Sequence, residues 1–319
     1  MVLETTYTTQ EGTACVTAAL GFGALGQLPW TELAHVVTVV LAVVTDHMGE
    51  ATCDGRTVRG EATLEAGHTG LLALVAVGAA HLHVPRPEEI VSRVDHTITA
   101  WRQWTRSLAY DGPWRNTVVR SALTLKALTS RATGAIAGAA TTSLPEKIGE
   151  SRNFDYRFAW IRDGSYALDA MSRLGLSEEL HAGVTWLLDA VSHEAPALRP
   201  QYALSGAPVP DTMEQVPGVP GYRHSLPVNV GNAAAGQTQL GSYGDLFDAV
   251  WHYCQRRGHL DQATGTLLSG MTDRVCDMLL RGHPTPASGN SGSDVITPAR
   301  RSAAGRRWTG PSAWPTPVS

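Results

Sequence analysis

Residues 151–164 read Ser-Arg-Asn-Phe-Asp-Tyr-Arg-Phe-Ala-Trp-Ile-Arg-Asp-Gly, and no other stretch of the chain holds as much chemistry in so few positions. Three arginines, two aspartates and an asparagine alternate with four aromatic rings. Guanidinium and carboxylate forks bind neighbouring hydroxyls through charge-assisted hydrogen bonds, and flat rings cover the apolar face of a sugar. Asp163 has two jobs open to it, since it stands where it can cap the helix that follows or face a ligand. A second polar stretch, residues 220–240, carries Asn232, Gln237 and Gln239 on a loop that feeds a helix. Those amides can read hydroxyls or simply structure the loop.

Other chemistries lack their residues. His193-Glu194 has no second helical histidine for a zinc site, and His81 and His83 have no third ligand nearby. There is no nucleophile elbow and no phosphate loop. Cys15, Cys53, Cys254 and Cys276 follow no metal or redox spacing and are expected to be buried free thiols. No metal and no cofactor is expected. With 25 basic against 29 acidic residues, no basic excess points to nucleic acid. No apolar run reaches membrane-spanning length, and the first residues lack the features of a secretory signal, so a cytoplasmic location is expected.

The elements that must position these residues fall into four zones. Residues 1–84 read as strands. Val58, Ala62 and Leu64 alternate with polar neighbours, Glu65-Ala66-Gly67 is a turn, and Leu71 to Val77 is an apolar run, so a hairpin is expected. In residues 85–112, a connector, Pro87 and Glu88-Glu89 suit a helix start, and Ile90, Val94, Ile98 and Trp101 share a face. Residues 113–281 are mainly helical. Val118, Ala122 and Leu125 mark one helix; Ala167, Ala170, Met171 and Leu174 mark a second, with Asp163 as its N-cap and Gly175 just past its end; Leu246, Val250 and Tyr253 mark a third. In residues 282–319, Gly, Pro and Ser make up 17 of 38 positions, which on composition is a disordered tail.

The two polar clusters carry a resemblance. Residues 151–164 resemble the "RN(W/F)DYR..WIRD" signature of glycoside hydrolase family 15, the glucoamylase-like and bacterial trehalase-like enzymes. Residues 220–244 resemble the family's "PGYR.S.PV..GNAA..Q.QL..YG" block. Arg120 to Lys126, Gly134 to Ile136 and Thr141 to Glu146 resemble its first helix and loop. The resemblance runs in order over about residues 2–280. It implies an (α/α)6 barrel behind a β-sandwich, both incomplete in this chain. It also implies an inverting hydrolase of α-glucosidic bonds in trehalose or malto-oligosaccharides, with two glutamates as acid and base. Carried over residue by residue, Arg162 and Asp163 match the pair that binds hydroxyls at the cleavage site. Tyr156 matches the aromatic beside the developing oxocarbenium, and Trp160 a pocket wall. Asn232, Gln237 and Gln239 match contacts to the neighbouring sugar. Gly241 departs from the family pattern, which has Asp there.

The block that holds the family's general acid, similar to "GIWE.R...HYT.SK...CW.ALDRA", has no counterpart in residues 282–319. A one-base shift in reading frame restores it in outline. Ala287 to Asn290 then permits Gly-Ile-Trp-Glu, Ile296-Thr297 permits His-Tyr, Arg300-Arg301 permits Ser-Lys, and Ala304-Gly305 permits Cys-Trp. The expectation is a frameshift near His283-Pro284 that removed both catalytic glutamates, in a chain that is a fragment at both ends. The alternative is a non-catalytic sugar-binding or regulatory remnant of the same fold. An unfinished barrel is expected to leave the face of Ala167, Met171 and Leu174 open.

Overall fold

A computed structural model describes residues 2–8, 13–19, 40–47, 49, 51–53, 58–77, 84–142, 144–257 and 259–281. The expectations for residues 282–319, and for His81 and His83, lie outside the described residues. The chain divides into two compact units, residues 1–106 and 107–319.

In the first unit the strands form three antiparallel pairs. β1 (Val2–Thr8) pairs with β2 (Thr13–Ala19), β3 (Val40–Asp46) with β6 (Leu71–Val77), and β4 (Ala51–Cys53) with β5 (Val58–Gly60). The expected hairpin between residues 58–64 and 71–77 is therefore corrected. The turn at Ala66-Gly67 exists, with His68 N–H bonded to Glu65 C=O at 3.0 Å. Its flanks pair elsewhere, however, because β4 and β5 close on each other inside the longer β3–β6 pair. In β6, Leu72 and Leu74 are exposed while Leu71, Ala73 and Val75 are half-buried. The apolar run therefore behaves as a one-sided strand. α1 (Pro87–Arg106) begins at the expected proline, and Glu89 reaches back to the Arg86 N–H at 3.2 Å, half of a capping box. Thr97 and Trp101 are its buried residues, on the expected face.

The second unit is helical. α2 (Arg115–Leu128), α3 (Ile161–Arg173), α4 (Ser177–Ser192), α5 (Leu240–Arg257) and α6 (Gln262–Leu280) carry it. Short strands between the helices tie the loops down. β7 (Ala159–Trp160) pairs with β8 (Gln201–Tyr202), and β9 (Glu214–Val216) with β10 (Val228–Val230). α3 is central and packs against α4 and α5; α5 also packs on α6. Lys126 on α2 and Glu179 on α4 form a 2.9 Å ion pair. Ala167 and Met171 are buried, Met171 completely, and Leu174 is partly covered. The face expected to stand open is thus a correction: α4 and α5 already cover it. α3 ends in a Schellman motif. Gly175, at φ +79°, donates to Ser172 C=O, and Leu176 N–H reaches Met171 C=O. The cysteine expectation is corrected too. Cys15, Cys254 and Cys276 are free, but Cys15 and Cys276 are exposed and Cys254 is half-buried.

Candidate active site

A buried frame supports the site. The Asp155 side chain is fully buried and accepts four bonds. Arg157 Nε and Nη2 approach at 2.9 and 2.8 Å, and the Arg157 and Gly231 amides at 3.1 Å each. The bidentate bond to Asp155 holds the Arg157 guanidinium above its already high usual pKa. Asn153 Nδ2 donates to Ser225 C=O at 3.0 Å, and Asn229 Nδ2 donates to Asn153 C=O at 2.9 Å. Buried amides and a carboxylate thus knit residues 153–157 to the loop of residues 225–232 with backbone bonds. Most buried polar groups are satisfied in this way, although Asn153 Oδ1 and Gln201 Oε1 are buried without a hydrogen-bond partner.

Asn232 belongs to that frame. Its side chain is completely buried, donates to Asp155 C=O at 3.0 Å and accepts from Ala234 N–H at 3.0 Å. Its backbone carbonyl takes Gln201 Nε2 at 2.9 Å. Of the two readings of this amide, loop structuring is the one its bonds serve. Gln239 Nε2 donates to Gln237 Oε1 at 2.8 Å; Gln239 is buried and Gln237 half-exposed.

Arg162 and Asp163 stand differently. They occupy the first turn of α3, and Arg162 Nη2 donates to Asp163 Oδ2 at 3.1 Å, with side chains 36% and 46% exposed. Asp163 is not the N-cap. That position is Trp160, which is extended and makes no side-chain cap bond. The reason lies in the strand that runs straight into the helix. Ile161 N–H is satisfied by Pro200 C=O at 3.0 Å, next to the β7–β8 pair. Released from capping, the Asp163 carboxylate sits at the positive end of α3 with valences to spare.

Tyr156 lies within reach of both charges. Burial raises its phenol pKa most, and a bond from its hydroxyl to Glu146 Oε1 at 2.6 Å raises it further; Arg162 pulls it down and Asp163 pushes it up. Its ring centroid is 5.9 Å from that of Trp160 and 6.1 Å from that of Phe154. Trp160 is buried, and Gly138 packs so closely under it that an added Cβ would come within 2.9 Å of its ring. Gly138 and Ala139 also donate to Phe158 and Tyr156 carbonyls, at 2.9 and 2.8 Å. Sequence reasoning placed Glu146 only at the end of a matched segment and assigned it no role. Nothing in the sequence singled it out, since Glu150 and Asp155 stand nearer to the tyrosine. A 380 Å3 groove between α5 and α6, lined by Phe247, Val250, Leu268 and Thr272 among others, shares no residue with this cluster. Among the described residues no group of three or more His, Cys, Asp or Glu could hold a metal ion, and no helix is long and apolar enough to cross a membrane.

The arrangement suits a polyol: a charged fork open to solvent, a phenol beside it, an indole behind, and a rigid frame beneath. Comparison with known proteins agrees. A trehalase of Thermoplasma acidophilum is 34% identical over 204 residues, 64% of this chain and 33% of the relative. A trehalase of Mycolicibacterium smegmatis is 34% identical over 226 residues, 70% of this chain and 33% of the relative. Trehalase 1 of Sulfolobus acidocaldarius is 42% identical over 158 residues, 49% of this chain and 27% of the relative. The chain spans a third or less of the length of these curated relatives. No solved structure matches it. The family model for glycosyl hydrolases family 15 matches residues 112–278, more than half of the chain and the whole of the site just described, and the chain belongs to that family.

Proposed function

We propose that this chain carries the glucose-holding part of an inverting α-glucoside hydrolase, and that trehalose is the substrate it is built around. The observation that carries the reading is the Arg162–Asp163 pair, held at the start of α3 with both side chains partly open beside Tyr156 and Trp160. Family membership and relatives named trehalases support it. Asp163 and Arg162 bind sugar hydroxyls as acceptor and donor. Trp160 walls the pocket, and Tyr156 lies beside the ring carbon that becomes positive as the glycosidic bond breaks. Malto-oligosaccharides share the same terminal glucose and are the competing substrate class.

Inverting hydrolysis also needs a carboxylic acid on the leaving oxygen and a carboxylate on a water opposite. Residues 282–319 stand where the family's acid-bearing block belongs and lack its Trp-Glu. Loss of the acid alone costs on the order of 10²–10⁴-fold in rate. The chain as it stands therefore binds sugar without turning it over. Calorimetric titration with glucose and trehalose, beside a glucose-release assay, tests this. Binding without release is the expected result, and turnover by the purified chain would overturn the assignment of the missing acid. Restoring one base near Pro284 separates the two readings. Recovered hydrolysis identifies a broken enzyme, whereas a shifted frame that meets an early stop codon favours a sugar-binding remnant.

A further inference from the structure

We infer that Glu146 is a positioning residue that fixes the direction of the Tyr156 hydroxyl and so gives the sugar site its preference for positive charge. The inference rests on the glucose-binding reading above and adds a residue to it.

Glu146 is held from two sides. Its amide donates to Arg152 C=O at 3.0 Å, closing the loop of residues 146–152, and its Oε2 faces Arg152 Nη1 at 3.8 Å. The tip of that loop is fastened in turn, because Gly149 N–H donates at 2.9 Å to Ser225 Oγ, and Ser225 is completely buried. Lys147 and Glu150 pair across the same turn. The carboxylate therefore reaches Tyr156 from a braced loop, and the 2.6 Å bond is short, as bonds to ionised acceptors are.

A phenol has one hydrogen and two lone pairs. With the hydrogen committed to Glu146, the oxygen has only lone pairs left to offer. A ligand atom arriving there must donate a hydrogen bond or carry positive charge. An acceptor oxygen gains nothing. The carboxylate behind the phenol also raises the negative potential at that oxygen, while burial and the same bond keep the phenol un-ionised. Arg162 opposes this potential and Asp163 reinforces it.

The test compares two probes of the same shape. 1-Deoxynojirimycin, at mildly acidic pH where its weakly basic ring nitrogen is protonated, and glucose under the same conditions are each titrated calorimetrically into the full chain, its Glu146→Gln variant and its Tyr156→Phe variant. The intact chain should bind the iminosugar more tightly than glucose. Glu146→Gln keeps an acceptor for the hydroxyl but loses the charge, so iminosugar affinity should fall roughly tenfold while glucose affinity and melting temperature stay within error. Tyr156→Phe should remove the same preference, and the double variant should lose no more than Tyr156→Phe alone. Equal losses for both sugars, or a lowered melting temperature with the preference intact, would mean a merely structural role and overturn the inference. Glu146→Gln indistinguishable from the intact chain in both titrations overturns it too, and leaves the glucose reading standing. If the intact chain binds neither sugar, both fall together.

Discussion

Two aspartate–arginine pairs lie within eight residues of each other and lead opposite lives. Asp155 and Arg157 are joined by two bonds under 3 Å, and the Asp155 carboxylate is sealed from solvent with four donors around it. Asp163 and Arg162 share one bond of 3.1 Å, and each keeps a third or more of its side-chain surface open. The residue types are identical, so composition does not separate them. Accessibility and spent valence do. A carboxylate whose lone pairs are all used by the protein can only hold the protein together, whereas one with valences left over can hold something else.

The sharpest way to break that contrast is Asp155→Ala. It strips a buried acceptor from four donors, and Arg157 is only partly able to find water instead. A loss of about 3 kcal/mol is expected, the low end for breaking a buried pair because Arg157 is half-exposed, and denaturant unfolding measures it. Asp163→Ala should do the reverse. Stability should stay within about 0.5 kcal/mol, while glucose affinity measured by calorimetry falls at least about tenfold, the worth of one bond to a charged group. A melting curve that collapses in Asp163→Ala and not in Asp155→Ala would exchange the two roles.

A smaller effect probes strain beside the frame. Arg223 and His224 both adopt left-handed backbone, at φ 51° and 60°, immediately before the Ser225 that anchors the frame. Non-glycine residues pay for that conformation. His224→Gly should therefore stabilise the chain by about 1 kcal/mol in thermal or denaturant unfolding.

The smallest effect is confined to alkaline pH. Tyr202, on the strand that carries Gln201 to the frame, is completely buried. That burial raises its phenol from 10.0 to about 12. Above pH 10 the unfolded chain loses this proton while the folded chain keeps it, so unfolding becomes easier as pH climbs towards about 12. Below pH 10 both states hold the proton and stability is flat. At pH 10.5 the loss is under about 1 kcal/mol, and Tyr202→Phe should reduce the slope of melting temperature against pH in that range.

Three helices of the second unit, α2, α3 and α5, could be read from spacing, whereas α4 and α6 went unread. Ala122, Met171, Leu246 and Val250 are buried where a 3.6-residue period places them, and Gly175 ends α3 as a left-handed glycine should. Local signals failed where the deciding partner was distant. Asp163 looked like a cap because nothing in its neighbourhood reveals that Pro200 satisfies the helix amide. Residues 58–64 looked like half of a hairpin with residues 71–77 because alternation says which face is apolar and not which strand is the neighbour. The motif found the charged pair and the aromatics. It could not divide Asn232 from Arg162 by role, because a buried amide bonded to backbone and an open guanidinium differ in surroundings rather than in type.

The frame also sets a timetable. Its bonds join residues 72 to 77 positions apart in the chain: Asn153 to Ser225, Asp155 to Gly231, Asn232 to Asp155. Closing a loop of that size costs entropy before any contact is gained, although each doubling of length adds only about 0.6 kcal/mol. α3 and α4 are neighbours in sequence and pack on each other, so that contact can form early. The floor beneath Arg162 and Asp163 has to wait until residue 232 has left the ribosome. During that interval the charged fork has no rigid support, and the binding site is completed only when two segments more than 70 residues apart have met.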